Sequence, residues 1–339
     1  MSRTIQTCIN EDRTDDIKMP NVGMEPKNVR PALLADFVGQ TKIKGRIKTS
    51  IEAAKIRNVC MDHCLFYGPP GLGKTTMAML IANEMNSNCK TLSGPMIEKS
   101  GDLVSALNTL NEGDVLFIDE IHRLPAQVEE VLYSAMEDFK VDITIGSLNS
   151  PQSKVISISL PRFTLIGATT KAGLISAPLR DRFGITARLE YYNEEELTHI
   201  VKRTSYIYGI KLTDEQALII AKASRGTPRI ANSNVARVRD EIIVSGGTVS
   251  SEIITRALIN NGICGNGLTE QDVKYIDLLK KQNGNPLGLS TIASYLGEDE
   301  VTIEDVIEPY LLRKGLIIKT NRGRVISKIK NKDKAKYNN

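Results

Sequence analysis

The chain has 339 residues, 41% of them hydrophobic and 25% charged, with a formal net charge of +4. That length allows two or three domains of ordinary soluble composition, and the small charge excludes a protein that coats nucleic acid by bulk charge. No apolar stretch approaches the ~18 residues of a membrane span. The N-terminus lacks the apolar run of a signal peptide, so a cytoplasmic chain with reduced thiols is expected.

Residues 1–28 are polar and read as a mobile tail. From 29 to 192, apolar runs alternate with amphipathic stretches. Cys64–Tyr67 is a strand, followed by a Gly-rich loop and a helix, Thr75–Met85. Asp114–Ile118 and Phe163–Gly167 are further buried strands, with a helix at Val128–Phe139 between them. Strands alternating with helices predict an α/β domain with a parallel, doubly wound sheet. Tryptophan is absent, so the core must rest on Ile, Leu, Val and Ala. Cys60, His63 and Cys64 suggest half a metal site, but no second Cys/His pair follows, and buried thiols are the expectation.

Residues 193–263 read as a small helical domain, with helices at Glu194–Tyr208, Thr213–Ser224 and Arg229–Ser245. A Gly/Asn-rich break at Asn260–Gly267 follows. Residues 264–339 then offer three helices, Thr269–Lys281, Ser290–Leu296 and Thr302–Lys314. A hairpin of Gly315–Lys319 and Arg324–Lys328 completes a winged helix.

Gly68–Thr76 fits G-x-x-x-x-G-K-[ST] between a strand and a helix. Its glycines let backbone N–H groups close around phosphates, and the helix N-terminus adds positive potential. Lys74 should reach the β- and γ-phosphates of ATP, and Thr75 should ligate Mg²⁺. In Asp114–Glu120, four apolar residues bury a strand and deliver two acids at its carboxyl end, where α/β sheets bind ligands. Asp119 is expected in the Mg²⁺ shell and Glu120 beside the attacking water. Phe163–Thr170 ends in two hydroxyls. Thr170 is the first candidate for the γ-phosphate or the water, and Thr169 the second. Pro178–Phe183 carries Arg180 and Arg182, whose planar forks suit a transferring phosphoryl group. Arg229 opens a helix of the small domain and could close that domain over the nucleotide.

These pieces together resemble an AAA+ ATPase, with Walker A, Walker B, sensor 1, arginine finger and sensor 2 in that order. The text is most similar to the RuvB family over about residues 30–325. Arg30–Gln40, Gly68–Thr76, Asp114–Leu124, Leu179–Gly184, Arg225–Asn232 and Thr302–Leu311 carry the likeness. The resemblance implies an ATP hydrolase of the helicase class in a homohexameric ring. Such a ring pumps duplex DNA out of Holliday junctions held by a RuvA tetramer, which RuvC then resolves. It also implies a site in which Val29 and Arg30 lie by the adenine, and Gly71, Gly73, Lys74, Thr75 and Thr76 hold phosphates and Mg²⁺. Glu137, Asp138 and Phe139 would line the nucleotide site, and Arg182, Tyr192 and Arg229 would contact the nucleotide. Arg180 would be the finger given to the neighbouring subunit.

Residues 145–160 resemble the hairpin with which the family grips RuvA, and Val155, Ile156, Ile158 and Leu160 alternate as a partly exposed strand should. At the wing the resemblance places Lys319 and Arg324 on DNA, with lysine in place of one arginine and Asn321 where proline is usual. From the residues alone, two rivals stay open: a clamp-loader-like AAA+ protein, and a protein-remodelling ATPase whose winged helix docks protein. The acidic face of Glu304, Asp305 and Glu308 is a poor reader of a major groove.

Overall fold

The computed structural model describes residues 29–145 and 154–327. The N-terminal tail, the hairpin tip at 146–153 and the chain beyond 327 lie outside the described residues.

The chain first lays down β1 (Cys64–Tyr67), β2 (Cys89–Ser93) and β3 (Val115–Asp119). An antiparallel hairpin follows, β4 (Lys140–Ile145) with β5 (Lys154–Ser159). The last two strands described in this domain are β6 (Thr164–Thr169) and β7 (Ile185–Arg188). Five of the seven form one parallel sheet in the order β2-β3-β6-β1-β7. Near-continuous apolar runs such as Val115–Ile118 are what a strand covered on both faces requires. Phe66 and Phe117 enter the core shared with helices Thr41–Arg57 and Lys74–Met85, while Leu65 and Leu116 pack with Leu103, Val128 and Leu132 on the opposite face. The expected helix Val128–Phe139 is observed as Ala126–Glu137, and Phe139 leaves it with φ 51°.

Four helices make the small domain. Glu194–Ile207 and Asp214–Ala223 both start from capping boxes, Asn193 with Glu196 and Thr213 with Gln216. Pro228–Val244 opens on a proline at its first position, where no N–H is needed. Ser251–Asn260 joins the three helices named from sequence. Its Ser250 accepts the Ile253 N–H, and Ile254, Ala257 and Leu258 are buried.

The winged helix has helices Glu270–Lys281 and Leu289–Leu296, and a third over 300–313. The third is not a single α-helix. Ile303–Ile307 widens into a π turn, because Pro309 has no N–H for the Asp305 carbonyl and its ring would clash there. Strands Ile317–Thr320 and Gly323–Ile326 pair antiparallel and set Lys319 directly across from Arg324. Among the described residues no helix is long and apolar enough to cross a membrane.

Charged side chains fasten the winged helix to the rest. Arg225 meets the fully buried Asp272 at 2.6 Å and stacks on Tyr310 at 4.3 Å. Arg313 stacks on Tyr191 at 3.6 Å and donates to the Arg225 carbonyl. Lys171, just past β6, lies 3.9 Å from Asp305. Removing one partner of a buried pair leaves the other charge uncompensated, at a cost of about 3–5 kcal/mol. Arg225→Ala should therefore lower the opening free energy of the helix Glu270–Lys281 by about that much, measured by amide hydrogen exchange. Unchanged protection in that helix would show that the pair does not hold the two units together.

Candidate nucleotide site

The loop Gly68–Gly73 leaves β1 and turns into the helix Lys74–Met85 through glycines with φ of 135° (Gly68), 78° (Gly71) and 103° (Gly73). Lys74 sits in the first turn of that helix, buried, and its ammonium donates to the carbonyls of Gly68 (2.7 Å) and Pro69 (3.0 Å). Among the described residues it forms no ion pair within 4 Å. Burial pulls its pKa down, while the nearby Glu120 and Asp119 push it up. A buried ammonium held only by carbonyls, at a helix N-terminus, is a place for an anion.

A cavity of about 280 Å³ opens around it. Its walls include Val29, Arg30, Gly71, Gly73, Lys74, Thr75 and Thr76 from the first part of the chain. Asp119, Glu120 and Thr170 come from the ends of β3 and β6, and Arg229 and Asn232 from the small domain. A second, more apolar recess shares Val29, Arg30, Gly73 and Thr76 and adds Phe37, Leu72 and Tyr192. Tyr192 ties the two domains together. Its hydroxyl donates to the Leu72 carbonyl at 3.1 Å and its backbone N–H to the Gly226 carbonyl at 3.0 Å. Gly71 is where the small domain comes closest. A Cβ there would stand 2.7 Å from the Thr227 methyl and 2.9 Å from Arg229 Cβ.

The two carboxylates are set apart by the backbone. Asp119 accepts the Glu120 N–H at 3.0 Å. Glu120 has φ 49°, an uncommon conformation for a side-chain-bearing residue, and it turns the carboxylate towards Thr170. The Thr170 hydroxyl and N–H reach Glu120 Oε2 at 3.2 and 3.4 Å. Thr169 is fully buried and faces His122 instead, 2.9 Å from its Nδ1. Of the two threonines it is therefore Thr170 that lines the cavity.

Mg²⁺ binds few protein ligands and keeps waters and phosphate oxygens. The Thr75 hydroxyl and Asp119 carboxylate suit that sparse set. Among the described residues no cluster of three or more His, Cys, Asp or Glu could hold a metal by itself. Both ring nitrogens of His63 are taken by the backbone, Nδ1 by the Leu165 N–H at 2.8 Å and Nε2 by the Met136 carbonyl at 3.1 Å. Desolvation raises the buried Cys64 thiol well above its usual pKa.

Several expected residues stand elsewhere. Arg182 contacts Glu137 at 3.2 Å, the Pro178 carbonyl at 2.8 Å and the face of Tyr133. Phe139 packs edge-on against Phe163. None of these residues, nor Asp138 or the exposed Arg180, lines the cavity. Glu137, Asp138 and Phe139 stand at the C-terminal end of the helix Ala126–Glu137 and Arg182 just past the helix Ala177–Asp181, so within a single chain they do not line this cavity.

The wing also differs from expectation. Arg324 is buried, paired with Glu308 at 2.6 Å and Glu304 at 2.8 Å, and Tyr275 donates to the same Glu308 at 2.8 Å. Lys319 pairs with Glu304 at 2.6 Å. The acids of the third helix thus pair with both of the expected wing cations, and Arg324 is not a free cation. Arg322, at the turn, is exposed and was given no role from sequence. Asn232 was also passed over. Its motif was read for Arg229, and only the fold shows the next helical turn facing the same cavity.

Known proteins match this chain along nearly all of its described length. Residues 29–189 match the Holliday junction DNA helicase RuvB P-loop domain, 192–263 the RuvB AAA lid domain and 265–331 the RuvB C-terminal winged helix domain. A Fusobacterium nucleatum protein named Holliday junction branch migration complex subunit RuvB is 50% identical over 314 residues, 92% of this chain and 94% of that one. Its Campylobacter fetus namesake is 54% identical over 300 residues, 88% of this chain and 87% of the relative. Among solved structures, the Thermotoga maritima RuvB Holliday junction branch migration motor superposes with a TM-score of 0.76 at 42% identity, covering 88% of this chain and 96% of that one. A parallel P-loop sheet, a helical lid and a winged helix, each matched in turn, place the chain in the RuvB family.

Proposed function

We propose that this chain is an ATP-hydrolysing motor subunit that drives branch migration of four-way DNA junctions in recombination and repair, working in the cytoplasm as a homohexamer with RuvA. The observation that carries the reading is the buried, carboxylate-free ammonium of Lys74 beside Asp119, Glu120 and Thr170 at one cavity.

ATP enters with its phosphates on the loop Gly71–Thr76 and its base towards Val29, Arg30 and the recess by Tyr192. Lys74 meets the β- and γ-phosphates, and Thr75 and Asp119 would hold Mg²⁺. When bound, that ion supplies charge neutralisation on the phosphate oxygens. Glu120 orients the attacking water and takes its proton, Thr170 bonds the γ-phosphate or the water, and Arg229 closes the lid over the nucleotide. Arg180 belongs to a neighbour's site. It is exposed on a short helix capped by Ser176, and among the described residues its guanidinium has no partner within its own chain. Glu137, Asp138, Phe139 and Arg182 reach nucleotide only across a subunit boundary. The hairpin of β4 and β5 is the RuvA contact, with Ile156 exposed on it and Leu160 buried at its base. RuvC joins in the wider complex.

ATP-dependent dissociation of a synthetic four-way junction, with and without RuvA, tests the whole. ATPase stimulated by unfolded protein and not by junction DNA would favour the remodelling alternative. For the site, Lys74→Ala should lose nucleotide binding. Glu120→Gln should bind nucleotide normally yet lose at least about 100-fold in turnover. Equal binding defects in the two variants would overturn the division of roles.

For the finger, Arg180→Ala alone should be inactive. Mixing it with Lys74→Ala subunits should restore ATPase at interfaces that pair an intact loop with an intact arginine. No recovery in rings shown to co-assemble would place Arg180 within its own chain's structure.

For DNA, a motor that moves over any sequence must contact phosphates. Lys319→Ala and Arg322→Ala should each weaken duplex binding alike on unrelated sequences and flatten the salt dependence by about 0.9 per contact. Arg324→Ala should act differently. It strands the buried Glu308, and the winged helix should lose about 3–5 kcal/mol of stability. A salt-slope change for Arg324→Ala without a change in thermal stability would return Arg324 to the DNA surface.

A further inference from the structure

His122 follows Glu120 by two residues, and the chain folds it back onto that carboxylate. With Glu120 at φ 49° and ψ 45°, Ile121–Arg123 forms one 3-10 turn that carries the imidazole towards the acid. The turn fits because residue 94 is glycine: a Cβ there would lie 2.4 Å from the Glu120 carbonyl oxygen. His122 Nδ1 stands 3.1 Å from Glu120 Oε2 and 2.9 Å from the Thr169 hydroxyl oxygen. That hydroxyl oxygen already accepts the Lys171 N–H at 3.0 Å.

The donors converge on one oxygen. Oε2 takes His122, the Thr170 hydroxyl at 3.2 Å and the Thr170 N–H at 3.4 Å, whereas Oε1 has only the Thr170 hydroxyl at 3.5 Å. The histidine is also the better-fixed member of the pair, with its side chain 9% exposed against 33% for Glu120.

We propose that His122 is a positioning residue for hydrolysis, donating its Nδ1–H to Oε2 so that Oε1 of Glu120 is held towards the attacking water. An Nδ1 lone pair at that distance would repel the carboxylate, so the proton belongs on Nδ1. Thr169 shares that proton and fixes the plane of the ring. The two threonines at the end of β6 then divide the work: Thr170 lines the cavity, and Thr169 orients the side chain that orients the base. The inference rests on the reading of Glu120 as the group that activates water.

The test compares full-length wild type, His122→Leu, His122→Asn and Glu120→Gln. The readouts are steady-state ATPase, affinity for a fluorescent ATP analogue and melting temperature. Leucine fills the space without a donor. It should lower kcat by about 10- to 100-fold, the usual scale for losing an orienting partner, with KM and analogue affinity unchanged. Asparagine places an amide N–H near the Nδ1 position and should recover most of kcat. Should the leucine variant fail to fold, His122→Gln takes its place, because its amide reaches the Nε2 position instead, and the same loss is expected. Wild-type kcat in the donor-less variant, or equal losses with and without the Asn donor, overturns the positioning role. If Glu120→Gln itself keeps turning over, Glu120 is not the base and the underlying reading fails. If Glu120→Gln is inactive while His122→Leu is normal, only the role of His122 fails.

Discussion

Parallel pairing of β3, β6 and β1, buried on both faces, sets three chain ends level at one edge of the sheet. Tyr67 pairs with Thr169 and Ile118 with Gly167, so the phosphate loop, the two acids and the two threonines emerge side by side from separate parts of the chain. Each strand is mostly apolar, and the acids at the end of β3 and the partly exposed hydroxyl after β6 stand where the strands end. The constraint is one of register. A slip of one residue would turn Asp119 or Thr170 to the opposite face of the sheet. Burial of Phe66, Phe117 and Ile166 in a single core is what forbids the slip.

The buried charges of this protein follow one rule with opposite outcomes. Arg324 and Arg225 have carboxylates within hydrogen-bond reach and serve to hold helices and strands together. Lys74 has carbonyls alone, and Arg180 is exposed with no partner among the described residues of its own chain. A charge already compensated is spent on structure, while one left uncompensated is available to a phosphate. By that criterion Arg322 is the exposed cation of the wing, Lys319 shares Glu304 with Arg324 while staying half exposed, and Arg324 belongs to the core of the winged helix.

Much of this was legible in the sequence, for physical reasons that can be named. The strands at β1, β3 and β6 announce themselves as short apolar runs between turn residues, and the phosphate loop has a spacing that few other structures need. Thr170 ranks ahead of Thr169, although alternation along a strand shows only that the two face opposite ways and not which way the cavity lies. Pairing was equally invisible. Nothing local says that Arg324 finds Glu308 across 16 residues, or that Arg182 finds Glu137 across a strand and a hairpin. The π turn at Ile303–Ile307 could have been suspected from Pro309 alone, since a proline inside a helical pattern must disturb the turn before it.

The same contacts that fasten the winged helix reach the phosphate loop in two steps. Arg313 stacks on Tyr191 and bonds the carbonyl of Arg225, whose neighbours Gly226 and Thr227 bear on Tyr192 and Gly71. Tyr192 in turn holds the Leu72 carbonyl within the phosphate loop. The strap at 225–227 has left-handed backbone at Arg225 (φ 54°) and Gly226 (φ 74°), which brings it close to both partners. A Cβ on Gly226 would stand 2.8 Å from the Arg313 guanidinium, and one on Gly71 would meet Thr227. Packing this close does not deform smoothly; it either keeps its arrangement or exchanges it for another. The glycines at 71 and 226 are therefore the points at which the phosphate loop, the lid and the domain that carries the wing come closest.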